Sequence, residues 1–328
     1  MRILKRLLFA GLALCLAASG LSAAAAERNV HICIDPGHGG AQNGAVILRD
    51  GAQVREKDLN LIIATFLSQA LTEEYDNVTV SMTRTGDSDV GLERRAQIAL
   101  EQDADALISI HNNAKGAQFD YDHGCTVLVS NAEYRPGLVG KTQALGCNLL
   151  FELERLGLEN QGLLVRTSEE GRTYPDGTPA DYYRLIRLGI SNNLLSVIVE
   201  HAFLDNPGDC QRFLSEEGQL RALARADARG IARYFRLPRK RSGKPLPSLR
   251  NREETIVWLR DRDPSHNDRF VKTFYPVRKK ANKQTAGKVR KSPDTAVKKK
   301  RSDPAEAPED PAVLIRRIVS AFERLKGH

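Results

Sequence analysis

Two hydrophobic rhythms alternate along the first 237 residues. Short apolar runs at 30–34, 78–83, 106–110, 124–129 and 194–199 have the length and composition of strands, the last reading as a buried parallel one. Between them lie stretches with helical spacing. Leu59, Ile62, Ile63, Phe66, Leu67 and Leu71 form one apolar face over 57–71, and further helices are predicted over 92–102, 138–156 and 215–235. In the last, Leu220, Leu223, Ala224, Ala228, Ile231 and Phe235 face the core. Strands alternating with helices predict an α/β sheet, and about 210 residues suffice for one sizeable core. No internal repeat is evident.

Past Leu237 the pattern breaks down. Residues 238–250 and 278–301 are rich in Lys, Arg, Pro, Ser and Thr and too poor in apolar residues to bury a core, so 238–309 is read as a basic, largely disordered linker. Within it, Ile256, Val257, Trp258, Phe270, Phe274 and Tyr275 suggest a short docking segment or small subdomain. Asp310-Pro311 then starts a short amphipathic helix over 310–328, with Val313, Leu314, Ile318, Val319, Phe322 and Leu325 on its apolar face.

Charge sharpens this division. The net +8 conceals 21 basic against 30 acidic residues over 27–237, while the remainder beyond 237 is strongly basic. The two regions are therefore expected to have different partners or to pair with each other. Dense Lys and Arg attract polyanions, which suits anionic envelope polymers or a membrane surface rather than specific nucleic acid. At the other end, Arg2, Lys5 and Arg6 precede an apolar stretch over 7–18 and an alanine run at 23–26, the layout of a signal peptide. Residues 1–26 are read as removed on export, to the periplasm or to the cell wall and exterior. Leu14 stands before Cys15 where lipidation calls for a small residue. Cys33, Cys125, Cys147 and Cys210 then remain; no two have metal-knuckle spacing, and buried thiols are the simpler reading although export permits a disulfide.

The candidate chemistry sits at the ends of the predicted strands. Ile34-Asp35-Pro36-Gly37-His38-Gly39-Gly40 presents a histidine in a glycine turn, Glu56 opens the 57–71 helix, and His111 follows the 106–110 run. Two histidines and a carboxylate are the ligand set of a catalytic zinc site with an open fourth position. Open sheets bind ligands beyond the carboxyl ends of their strands, so the three are expected on one rim. Glu200 ends the 194–199 run and is the candidate base, able to take a proton from water and pass it to a leaving amine. His31, His123, His266 and His328 lack such support. His201 is read as a loop residue or a substrate contact, and Arg94 and Arg95 as a solvated face or a clamp for substrate carboxylates.

These residues resemble the zinc-dependent N-acetylmuramoyl-L-alanine amidases (amidase type 3 catalytic domain) that cut bacterial peptidoglycan. The matching pieces are 34–40, 56–61, 93–96, 105–113 and 197–206, in the family's order and spanning roughly 29–237. The resemblance implies one α/β domain over 27–237, with a twisted, mostly parallel sheet of about six strands flanked by helices. By position it makes His38, Glu56 and His111 the Zn2+ ligands and Glu200 the catalytic glutamate. Peptidoglycan is the implied substrate, and a protein activator is a possible further partner. Where the family continues with glycine and phenylalanine two residues after that glutamate, this chain has Ala202-Phe203, so a backbone that needed glycine would have to differ here. Residues 159–183 are rich in turn signals and do not align with the family pattern. Rival readings are a zinc peptidase or deacylase of another wall amide, a wall-binding protein without activity, and a polyanion-binding module.

Overall fold

The computed structural model describes residues 28–49, 52–114, 123–131 and 134–249, together with the backbone of two short strands at 257–258 and 268–272. In chain order the strands are β1 (Val30–Pro36), β2 (Val46–Arg49), β3 (Ala52–Arg55), β4 (Val78–Met82), β5 (Ala106–Asn113), β6 (Cys125–Leu128), β7 (Asn160–Arg166), β8 (Leu195–Phe203), β9 (Val257–Trp258) and β10 (Asp268–Lys272). The main helices are α1 (Glu56–Glu74), α2 (Leu92–Glu101), α3 (Pro136–Leu156), α4 (Arg184–Ser191) and α5 (Glu217–Phe235).

One sheet organises the molecule, in the order β4-β1-β5-β8-β6-β7-β10-β9. β4, β1, β5 and β8 are mutually parallel, whereas β6 and β7 run together against them, giving the six-stranded, mostly parallel core expected from the sequence. β10 adds antiparallel to β7, and β9 to β10. These short strands fall on the apolar islands noted beyond 237; the other residues past 249, like the proposed signal segment and terminal helix, lie outside the described residues.

Alternation along the strands builds two apolar layers. Ile32, Ile34, Ile108, Ile110, Val197 and Val199 pack with α1, α3 and α5, while Cys33, Leu107 and Ile198 point to the other face, toward α2 and α4. Covering both faces explains why these strands read as continuous apolar runs. The four cysteines among the described residues are buried, Cys33 and Cys125 as free thiols. Residues 238–249 continue along the domain: Lys240 donates to the Thr72 carbonyl and Arg233 to that of Pro247. Among the described residues no helix is long and apolar enough to cross a membrane.

Sequence periodicity missed β7, α4 and the β2–β3 hairpin. β7 begins inside the turn-rich 159–183 stretch and contains Gly162 at φ +95°, which breaks the alternation. α4 has only eight residues, too few for a helical period to stand out. The hairpin did carry a signal in Asp50-Gly51, a turn pair that favours tight hairpins.

Candidate active site

β1, β5 and β8 deliver the predicted residues to one rim of the sheet. His38 lies two residues past the end of β1, in the left-handed conformation (φ 59°) that turns the chain back over the strand. His111 is near the end of β5, and Glu200 is its register partner on β8. Both occupy the sheet face opposite Ile110 and Val199, so their side chains share one side. Glu56 is the first residue of α1, where a carboxylate complements the helix dipole.

Three of these residues meet. His38 Nε2 lies 3.1 Å from Glu56 Oε2, and His111 Nδ1 lies 2.9 Å from Glu56 Oε1. Their candidate ligand atoms all fall within 4.8 Å of one another, and the two imidazoles stand edge to face. Ligands around a tetrahedral zinc ion with bonds of about 2.05 Å are separated by about 3.3 Å, so the cluster is close to the spacing such an ion requires. The surrounding backbone leaves room only because it lacks side chains at two points. A Cβ on Gly37 would fall 2.2 Å from the His111 ring, and one on Gly44 would fall 2.3 Å from Glu56 Oε2.

The electrostatics also suit a cation. Glu56 is buried, which raises its pKa, but hydrogen bonds with His111 and His38 outweigh that effect and hold it well below the usual carboxylate range. Burial lowers the pKa of His111, but the hydrogen bond to Glu56 and the charge of Glu200 prevail and raise it to about 9. Glu200 is pushed up to about 7, first by burial and then by repulsion from Glu56, with His111 and His201 pulling the other way. Two carboxylates thus face two imidazoles, a donor set that gains from a positive ion.

A buried polar frame holds the His38 turn, and most of it was not singled out from sequence. Asp35 accepts from Thr83 Oγ1 at 2.5 Å, Ser109 Oγ at 2.6 Å and Arg95 Nη1 at 2.6 Å. Arg95 also donates to the carbonyls of Pro36 and His38, and Arg84 donates to those of Pro36, Gly37 and Lys57. Asn60 and the backbone N–H of Asn112 donate to Glu56, and Asn112 Nδ2 donates to Asn60. Lys57 Nζ ties the Gly40 carbonyl to Asp87. The bonds from Arg84, Arg95 and Lys57 to the carbonyls of Pro36 to Gly40, and those from Asn60 and Asn112 to Glu56, fix backbone and candidate ligand atoms that a glycine-rich turn would otherwise leave loose.

Several sequence expectations change here. Arg95 is buried behind the turn, so it neither lies on a solvated face nor reaches a substrate, whereas Arg94 is exposed and pairs with Glu101. His201 is a fully buried β8 residue rather than a loop residue or substrate contact, because it faces α5 on the side of the sheet away from Glu200. Ala202 is extended within β8 and needs no positive φ, so the absence of glycine there causes no strain. His31 is held by the Gln102 carbonyl and Ser81, and His123 by Glu159; His266 and His328 lie outside the described residues.

The fold and sequence have known relatives. Residues 32–233 match a family model described as N-acetylmuramoyl-L-alanine amidase. The N-acetylmuramoyl-L-alanine amidase CwlM of Bacillus licheniformis is 29% identical over 208 residues, covering 63% of this chain and 70% of the relative. A sporulation-specific N-acetylmuramoyl-L-alanine amidase of Bacillus subtilis strain 168 is 44% identical over 87 residues, which is 26% of this chain and 32% of that protein. The solved CwlD amidase of Clostridioides difficile, in complex with the GerS lipoprotein, matches with a TM-score of 0.50 and 26% identity over 63% of this chain and 98% of its own. With more than half of its length matched to the family model, the chain belongs to the N-acetylmuramoyl-L-alanine amidase family.

Proposed function

We propose that this protein is a zinc-dependent N-acetylmuramoyl-L-alanine amidase acting on peptidoglycan outside the cytoplasm, where it hydrolyses the amide between the lactyl group of N-acetylmuramic acid and L-alanine. The convergence of His38, Glu56 and His111 beside Glu200, on a domain of this family, carries the reading. His38, Glu56 and His111 would hold the metal, each offering a lone pair from a side chain anchored by buried neighbours. A bound zinc ion supplies Lewis acidity, lowering the pKa of water and polarising the carbonyl. Glu200 accepts a proton from the water that attacks the lactyl carbonyl. It returns that proton to the alanine nitrogen as the C–N bond breaks. A carboxyl pushed up to about 7 suits both transfers near neutral pH.

The test combines product analysis with one variant. The purified protein, with zinc and then with a chelator, is incubated with peptidoglycan fragments and the released ends are identified by mass spectrometry. Metal-dependent release of stem peptides beginning with L-alanine is expected. Glu200→Gln should lower kcat by about 10²- to 10⁴-fold while zinc still binds. A new amino terminus elsewhere in the stem would instead make the protein a wall peptidase, and full activity in Glu200→Gln would remove Glu200 from the mechanism.

A further inference from the structure

β5 and β8 lose their even register at the active site. His111 pairs with Glu200, but Asn113 pairs with Phe203, so three steps along β8 match two along β5. The extra residue forms a bulge at His201-Ala202, opposite Asn112 and directly after the pair of the proposed base with a proposed ligand. Bulges interrupt the ladder and re-aim neighbouring side chains. This bulge therefore needs something to fix its shape.

The His201 side chain meets that need. Its Nδ1 lies 2.9 Å from the carbonyl oxygen of His111, and its Nε2 lies 2.7 Å from Asp227 Oδ2 on α5. His201 and Asp227 are both fully buried. A carbonyl only accepts, so Nδ1 carries a proton; the carboxylate fixes the far side of the ring. The imidazole thus joins the backbone of His111 to helix α5 at the point where the strand ladder is interrupted.

We propose that His201 and Asp227 form a buried strut that positions the active site by holding the His111 backbone and the bulge that aims Glu200. His201 is a positioning residue: it faces away from the site and acts through the peptide it grips. The inference rests on the proposed metal-hydrolase reading, and it assigns a role to residues outside that reading's ligand set.

Two substitutions separate the strut's two ends. In His201→Asn the side-chain amide can replace Nδ1 and still donate to His111, whereas in His201→Gln it reaches toward Asp227 and leaves the His111 carbonyl without its donor. Zinc affinity is measured by competition with a chelator, kcat and KM on a soluble peptidoglycan fragment, and folding by thermal unfolding. His201→Gln is expected to weaken zinc binding by about 10- to 100-fold and to lower kcat with little change in KM, with His201→Asn recovering most of both. A folded His201→Gln protein with unchanged zinc affinity and kcat would overturn the proposal, as would equal losses in the two variants. Should His201→Gln not fold, Asp227→Asn is read in the same way, and unchanged zinc affinity and kcat in that variant would overturn the strut. Failure of the unsubstituted protein to bind zinc would instead overturn the metal-hydrolase reading.

Discussion

Two buried carboxylates, on opposite rims of one sheet, have been put to different ends. Glu56 lies at the C-terminal rim of β1, β5 and β8 and meets two half-exposed imidazoles. Asp181 lies at the other rim, because β6 and β7 run against β8 and release their chains there. Asp181 accepts from Ser130 Oγ at 2.5 Å, Tyr174 OH at 2.6 Å and the Asn131 backbone at 2.7 Å. Burial raises the Asp181 pKa, and the hydrogen bonds from Ser130, Tyr174 and Asn131 reduce the shift without reversing it. At Glu56 the partners outweigh burial, because imidazoles can carry positive charge. Burial alone therefore does not mark a site. What distinguishes Glu56 is that its partners are imidazoles that could hold a metal ion with it, whereas the partners of Asp181 are neutral donors that knit loop 167–183 to the strand ends.

The comparison predicts unequal damage from similar substitutions. Glu56→Gln removes the charge of one proposed ligand, so zinc affinity should fall by more than about 100-fold, beyond what loss of an outer partner costs. Chelator competition measures this, and wild-type affinity would place the metal elsewhere. Next in size is Arg95→Leu, which strands the Asp35 charge in the interior and should cost about 3–5 kcal/mol. Its neighbour provides the control: Arg94→Ala touches only an exposed pair and should stay within about 0.5 kcal/mol. Denaturant midpoints report both, and similar values would show that the frame behind His38 contributes little.

The smallest effect is a pH slope at the far rim. Asp181 has a higher pKa folded than unfolded, so the folded state binds more protons between the two values. Its contribution is fully present below the ordinary aspartate range and is lost as pH rises through the folded value. Asp181→Asn should lack that loss, so its stability difference from wild type changes across this window, while zinc affinity stays the same. A flat difference in thermal unfolding between acidic and neutral pH would mean that Asp181 titrates normally.

Much of this architecture was legible from residue order because buried parallel strands leave long apolar runs. The candidates His38, Glu56, His111 and Glu200 stood out for the same reason, each standing where such a run or helix begins or ends. The frame was less so. Asp35 lay inside the motif that exposed His38, yet nothing local revealed that Arg84, more than forty residues on, would cap the same turn. α4 and β7 were too short, or too interrupted by glycine, for periodicity to detect.

The amino-acid sequence by itself determined which donor types the chain brings, in what order, and on which kind of element each begins. Only the tertiary structure decided between neighbours: Arg95 rather than Arg94 behind the turn, Glu200 toward the site and His201 toward α5. Adjacent residues on a strand or helix differ by half a turn or by about 100°, so their fates depend on which surface packs against them and on where a bulge shifts the register. Those are long-range contacts, and local sequence does not encode them.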